Sequence, residues 1–322
     1  MRPYIRGMQD FHASLDSGAS SIAASAGTRL PVLYVSHGSP MFALEPGETG
    51  PVLARWGRAL RQAHGPLRGV VVMSPHWMSH GVEVMTGATP STWHDFGGFP
   101  PALYELQYPA PGAPQLAHEV MDRLQAAGIA STANAQRPFD HGAWVPLMHL
   151  LPDADLPVVQ LSLPASAGPA ETHALGAALA ALRDEGVLIV GSGSMTHNLA
   201  EFRGGMGEAT VRVDDAVQAL RSQDGLQDDH AVGGSSASSP YVQDFSRWIE
   251  SRLQAQDLPA LLDYRARAPS ARRAHPSEEH FMPLYFALGA AGATARPRYL
   301  SREVMYSILA MDAMAFEDAQ AA

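Results

Sequence analysis

The sequence of 322 residues contains no cysteine. This absence excludes disulfide bonds, thiolate nucleophiles, iron–sulfur clusters and zinc sites built from cysteine. Any metal that the chain binds must therefore be held by histidine, aspartate or glutamate. Histidine is plentiful, with 14 residues, so imidazole ligands are available.

Basic residues are also scarce, with 22 Lys and Arg against 32 Asp and Glu and a formal net charge of -10. No run rich in Lys or Arg is present, which argues against a nucleic-acid partner. No apolar stretch is long enough to cross a membrane. The first 29 residues lack the apolar core of a secretory signal and are expected to form a flexible leader. We therefore expect a cytoplasmic protein without nucleic-acid or membrane partners.

From Leu30 onward, apolar runs of strand length alternate with amphipathic segments of helical period. Strands are predicted at 30–35, 68–75 and 187–193, and helices at 51–65, 115–129, 170–186, 241–256 and 280–292. This alternation predicts an α/β fold, a single domain over 30–322 with a mostly parallel central sheet flanked by helices. Within that domain, the stretch 203–240 ends in a Gly/Ser-rich run and is predicted to be an insertion or a lid.

Histidines follow three of the apolar runs. His37 comes in 34-YVSHGSP-40, His76 in 70-VVVMSPHW-77 and His197 in 187-VLIVGSGSMTHNL-199. Any one of them alone would be interpreted as a hydrogen-bonded loop residue. Because ligand sites of parallel sheets lie at the carboxyl ends of the strands, we expect the three to share one crevice. Converging imidazoles suit a divalent metal, so a metal site is predicted at this edge of the sheet.

Seven motifs, in order along the chain, resemble the 4,5-DOPA extradiol dioxygenase family, part of the class III or LigB-type ring-cleaving dioxygenases. They are SHGSP (36–40), SPHW (74–77), WHDFGGFP (93–100), YPAPG (108–112), FDHGAW (139–144), GSGSMTHNL (191–199) and HPSEEHFMPL (275–284). Single fragments of this kind are weak evidence, but seven in the family's order are specific. The resemblance covers the chain from about Leu30 to about Gly292 and agrees with the fold class inferred from the pattern.

The resemblance implies a role for each of five histidines. His37, His76 and His280 would be the metal ligands, His197 would act as acid and base, and His141 would hydrogen-bond the substrate or oxygen. The implied cofactor is one divalent metal ion, Fe(II) for activity. The implied reaction uses O2 to open a catechol such as L-DOPA to a muconic semialdehyde-type product, so the implied partners are a small-molecule catechol and O2.

Two neighbours of His280 leave the ligand set open. His275 lies five residues earlier and could take the ligand role, although the proline that follows it favours a lead-in turn. Glu279 could supply the carboxylate of a two-histidine, one-carboxylate triad. Adjacent residues at a helix start seldom face one metal, so we expect Glu279 to orient a ligand instead.

The residue types do not select iron over zinc. Three neutral imidazoles bind Zn2+ more tightly than Fe2+, so the purified protein could carry zinc. A zinc-dependent hydrolase on the same three-histidine site, with a metal-bound water as nucleophile, is therefore the alternative function. A non-catalytic relative that binds metal or small aromatics is a third hypothesis, which an intact His197 disfavours.

Overall fold

The strands Val32–Ser36 and Val187–Gly193 are mostly apolar and buried along their whole length, as expected of strands covered by helices on both faces. The computed structural model describes residues 29–202 and 238–318. Within these ranges the strands are β1 (Val32–Ser36), β2 (Gly69–Ser79), β3 (Val82–Met85), β4 (Ser131–Asn134), β5 (Val158–Pro164), β6 (Val187–Gly193), β7 (Arg296–Ser301), β8 (Val304–Met305), β9 (Leu309–Ala310) and β10 (Ala313–Glu317).

Eight of these strands form one sheet in the order β4-β3-β5-β2-β6-β1-β10-β7, and β8 pairs with β9 in a separate ribbon. The central strands β5, β2, β6 and β1 are parallel to one another. The prediction of an α/β fold with a mostly parallel central sheet is therefore confirmed. The C-terminal strands β10 and β7 extend the sheet in antiparallel fashion beyond β1, which the sequence pattern did not predict.

The helices lie on both faces of the sheet. They are α1 (Thr49–His64), α2 (Pro101–Tyr104), α3 (Pro114–Ala126), α4 (His141–Leu150), α5 (Pro169–Leu179), α6 (Leu199–Phe202), α7 (Pro240–Gln254), α8 (Leu258–Leu262), α9 (Tyr264–Arg267), α10 (Ala271–Ala274) and α11 (Met282–Ala291), with 3-10 turns at Pro40–Ala43 and Ala180–Glu185. None of the described helices is long and apolar enough to cross a membrane.

Consecutive residues of β1 belong to two different cores. Val32 and Tyr34 pack in a cluster with side chains of α5, α7 and α11. Leu33 and Val35 pack in a second cluster with side chains of α1 and α4. Because side chains of a strand alternate between the faces of a sheet, one apolar run serves both cores. The metal-site candidates therefore stand on a sheet that is held from both sides.

Most predicted elements occur within a few residues of their predicted bounds, and the differences have local causes. The helix predicted over 170–186 ends at Leu179 and continues as a 3-10 turn that Gly186 terminates in the left-handed region. The helix predicted from 280 begins at Met282, so His280 lies in the turn before it. Residues 1–28 of the expected leader and 203–237 of the expected insertion lie outside the described residues.

Helices α5 and α11 cross with their backbones in contact. A Cβ atom on Gly289 would lie 1.9 Å from the carbonyl oxygen of His173, and one on Gly176 would lie 2.0 Å from that of Phe286. Only glycine allows two helices to approach this closely. The close crossing helps to fix the distance between α11 and the sheet. The turn that carries His280 precedes α11 and is positioned with it.

We expect Gly289→Ala to lower the free energy of unfolding by about 3 kcal/mol, because the added methyl group must push the two helices apart. Gly81→Ala is the matched control, since a Cβ at Gly81 meets no atom of the described residues within 4 Å. Urea unfolding followed by circular dichroism measures both variants. Equal stabilities for the two variants would show that the helix crossing is not tightly packed.

Candidate metal centre

The Nε2 atoms of three histidines converge at the carboxyl ends of the parallel strands. The Nε2 atom of His76 lies 3.1 Å from that of His37 and 3.3 Å from that of His280. A tetrahedral ion bound at the usual zinc–nitrogen distance separates its ligand nitrogens by about 3.3 Å. The two distances from His76 are therefore those expected of imidazoles that share one divalent ion.

Hydrogen bonds on the far side of two of these rings set their tautomers. The Ser192 hydroxyl donates to the carbonyl of Gly142, so it must accept from Nδ1 of His37, 3.1 Å away. The Glu279 carboxylate can only accept a hydrogen bond, so Nδ1 of His280, also 3.1 Å away, must carry the proton and donate to it. Both rings therefore turn an unprotonated Nε2 toward the centre, where the lone pairs repel each other unless a cation lies between them.

Two glycines of β6 allow His280 to reach this position. A Cβ atom on Gly191 would lie 2.1 Å from the carbonyl oxygen of Pro283, and one on Gly193 would lie 2.4 Å from that of His280. The start of α11 thus rests directly on the backbone of β6. The two glycines of the GSG motif are required for that contact.

His76 lies inside β2 rather than after it, which corrects the sequence-based expectation. The pairing of β2 with β5 loses its register between Met73 and Met78, and His76 stands in this irregular stretch. The carbonyl oxygen of His76 accepts from Arg137, whose guanidinium lies 4.8 Å from the ring centre of Trp77. This contact holds the irregular stretch and the histidine in place.

His141 and His76 are joined by an aspartate that the sequence analysis missed. Oδ1 of Asp95 accepts from both the backbone N–H and Nδ1 of His141, each at 2.9 Å. Its other oxygen lies 3.8 Å from Nδ1 of His76, whose ring centre is 3.9 Å from that of His141. Burial alone would raise the pKa of Asp95, but the hydrogen bonds from His141 and the nearby imidazoles lower it overall. The only signal for Asp95 was its place in the WHDFGGFP motif.

His197 lies flat against His280. The two ring centres are 3.5 Å apart and the ring planes differ by 8°. Desolvation by burial lowers the pKa of His197 to about 4. The structure therefore brings all five histidines singled out from the sequence into one cluster of touching rings, with His37 also in contact with His141.

Potential ligand atoms within 4.8 Å of one another form two adjacent groups in the described residues. One contains His37, His76 and His141, and the other His197, Glu279 and His280. The three converging Nε2 atoms span both groups. His275 belongs to neither group, and its Nε2 lies 2.9 Å from the carbonyl oxygen of Met195.

Burial keeps the three converging imidazoles uncharged. Desolvation, reinforced by the neighbouring histidines, lowers the pKa of His37 and of His280 well below the usual value. The same causes lower the pKa of His76 to about 3, although Asp95 opposes them. The rings are therefore neutral at physiological pH, which is the form that binds metals.

A cavity of about 400 Å3 adjoins the centre on the side of β5. Its wall includes Glu279, which accepts from His280, and Met78, two residues beyond His76. On the other side of the cluster, the ring of Phe96 lies 5.5 Å from that of His141. The cavity wall also carries Arg265 and Glu278 and includes none of the five histidines, so the aromatic surface beside the cluster is on the side of Phe96.

Comparison with known proteins gives a consistent family assignment. The model of the catalytic LigB subunit of aromatic ring-opening dioxygenases matches residues 31–315. The 4,5-DOPA dioxygenase extradiol of Beta vulgaris is 35% identical over 264 residues, which cover 82% of this chain and 87% of that protein. The protein of the same description from Escherichia coli K12 is 35% identical over 269 residues, covering 82% and 86%. The crystal structure of an uncharacterized protein from Escherichia coli K12 superposes with a TM-score of 0.66 at 29% identity, covering 89% of this chain and 99% of that one.

We expect zinc binding at about pH 6 to release almost no protons from the metal-free protein. Three ordinary imidazoles with a pKa of about 6.5 would release about two protons at this pH. The lowered pKa values of His37, His76 and His280 leave these rings neutral before the metal arrives. Calorimetric titration in buffers of different ionisation enthalpy gives the proton count, and a release of about two protons per zinc would contradict the expectation.

Proposed function

The chain belongs to the family of the catalytic LigB subunits of aromatic ring-opening dioxygenases, and on this premise we propose that it is an extradiol dioxygenase acting on a catechol such as L-DOPA. The product would be a muconic semialdehyde-type compound, with O2 as the second substrate. The observation that carries the proposal is the convergence of three Nε2 atoms, those of His37, His76 and His280, beside two further histidines.

We propose His37, His76 and His280 as the ligands of one divalent metal. When bound, Fe(II) would bring the catechol and dioxygen together and pass electron density between them. His141 also has an acceptor behind its ring, Asp95, so its tautomer would permit ligation. We leave it out of the ligand set because, among the described residues, the Nε2 atoms within 3.3 Å of that of His76 are those of His37 and His280. Zinc would compete for the same three imidazoles, since its intrinsic affinity for them exceeds that of Fe2+.

His197 is proposed as the acid and base. Its ring is parallel to that of His280 and lies at the edge of the cluster, within reach of a substrate held there. A neutral imidazole can accept the proton of a catechol hydroxyl and return it when the ring opens. The lowered pKa of His197 keeps it in the accepting form before the substrate binds.

His141 is proposed to bind the substrate or oxygen from the other side. Because Nδ1 of His141 donates to Asp95, its Nε2 carries the lone pair and can accept a hydrogen bond from a hydroxyl group. The carboxylate also stabilises positive charge on that ring if a proton is transferred to it. Asp95 thereby acts on both His141 and His76.

The remaining expectations form part of the same proposal. The catechol and O2 are the proposed partners, the cytoplasm is the proposed location, and residues 30–322 are the proposed catalytic domain. The hydrolase alternative gains no support from the relatives, which are described as dioxygenases.

The decisive experiment is anaerobic reconstitution with Fe(II), followed by L-DOPA and air. We expect oxygen uptake and a yellow semialdehyde absorbance, because only a redox-active ion can pass electrons to O2. The same protein loaded with zinc is the control and should give neither signal. Absence of colour and of oxygen uptake with several catechols, while bound iron is confirmed, would overturn the proposed function.

We expect His197→Ala to retain its metal but to lose on the order of 10²–10⁴-fold in kcat, the usual contribution of a general acid–base group. His118→Ala is the matched control, since that residue lies exposed on α3 and its Nδ1 donates to the carbonyl of Pro114 in its own helix. Metal analysis and oxygen-uptake kinetics are compared for both. Unchanged turnover in His197→Ala would remove this residue from the mechanism.

A further inference from the structure

His275 is a buried histidine whose place in the structure calls for a polar function. Its ring packs against Phe245 and Phe281, with ring centres 5.5 and 4.8 Å away. Nε2 lies 2.9 Å from the carbonyl oxygen of Met195 and must carry the proton, since a carbonyl only accepts. Nδ1 then has a lone pair, and it has no hydrogen-bond partner among the described residues.

An unpartnered nitrogen in an apolar surrounding lowers stability. A phenylalanine would fill the same aromatic niche without that penalty. What the imidazole of His275 adds is the single hydrogen bond to Met195. The role of His275 therefore lies in what this bond holds in place.

The bond is part of a set that joins segment 194–198 to segment 273–280, and we call these two segments the clasp. The other hydrogen bonds of the clasp, each 2.8 Å long, run from Ser194 N to the carbonyl of His280, from His197 N to that of Ala274 and from Nδ2 of Asn198 to that of Arg273. One segment carries the proposed acid and base and the other a proposed metal ligand. The clasp therefore sets how the two rings meet.

Met195 is anchored within the clasp by two hydrogen bonds of its backbone. Its backbone N–H donates to Oγ of Ser36, the residue before His37, at 3.1 Å. Its carbonyl oxygen accepts from His275. Side chains thus satisfy both polar groups of this buried backbone. Ser36, next to the proposed ligand His37, accepts from the N–H, and His275 donates to the carbonyl. The peptide of Met195 lies two residues before His197.

Resting on the proposed function, we propose that His275 is a positioning residue for His197. Its Nε2–H holds the carbonyl of Met195, and this keeps the ring of His197 parallel to that of His280 at 3.5 Å. Without the bond, the carbonyl of Met195 is buried and unpaired, and the loop moves to satisfy it. His197 then leaves the position from which it meets the substrate.

The exposed ion pair of Arg273 is not expected to compensate for the loss of this bond. Arg273 pairs with Glu201 at 2.8 Å, but the arginine side chain is 57% exposed. An exposed ion pair contributes little because water and salt screen it. Of the contacts between the two segments, the buried bond from His275 to Met195 is the one that a side-chain substitution at His275 removes while the backbone bonds of the clasp remain.

The test compares His275→Phe, which keeps the aromatic packing and removes the donor, with His275→Gln, which retains a donor. NMR of the zinc-loaded proteins gives the ring C–H resonance of His197, which is assigned by its loss in His197→Ala. The position of this resonance depends on the ring current of the stacked His280. We expect this resonance to move in His275→Phe with zinc content unchanged. In the iron-loaded protein kcat should fall on the order of 10²-fold, as for a misplaced catalytic group, while KM changes little. His275→Gln should restore most of both signals.

His149→Phe is the matched control, because His149 is partly buried and also binds a backbone carbonyl through Nε2, that of Phe42. It should leave the His197 resonance and kcat unchanged. A folded, zinc-loaded His275→Phe with an unmoved resonance would overturn the positioning role, and if this variant does not fold, His275→Leu is measured in its place. If the wild-type protein shows no ring cleavage, the proposed function is refuted. The positioning role can still be tested, because the His197 resonance does not depend on turnover.

Discussion

The site depends on one constraint, which is that three imidazoles must stay uncharged while their Nε2 atoms face one another. At separations of 3.1 and 3.3 Å, a proton on each ring would bring positive charges into contact inside the protein. Burial enforces the neutral form, and the acceptors behind the rings, Ser192 and Glu279, decide which nitrogen keeps its proton. The surrounding structure supplies a dry site and fixes the tautomers.

Much of the fold and part of the site could be predicted from the sequence because they depend on local pattern. The apolar run before His37 is a strand buried on both faces, and such runs end where parallel sheets bind ligands. His76 could be found in the same way, although its strand continues past it with a break in register. His280 stands in a turn before a helix, so only the order of the motifs pointed to it.

The rest could not be predicted because it depends on contacts between distant parts of the chain. Asp95 is 46 residues from His141, and Ser192 is 155 residues from His37. Neither has a periodicity that would distinguish it from an ordinary loop or strand residue. The antiparallel addition of β10 beside β1 is likewise a matter of topology, since the short apolar strand Ala313–Glu317 carries no sign of its neighbour.

The spacing of the three converging histidines along the chain determines when the centre can form. His37 and His76 are 39 residues apart, but His76 and His280 are separated by 204. During synthesis, strands β1 to β6 emerge before the third imidazole, while β7 and β10 follow it, so the site can close only when the C-terminal part arrives. An ion captured at that late stage would link the two ends of the sequence. The supply of metal in the cell would then govern how long the finished molecule survives, because an ion that binds only the native state opposes its unfolding.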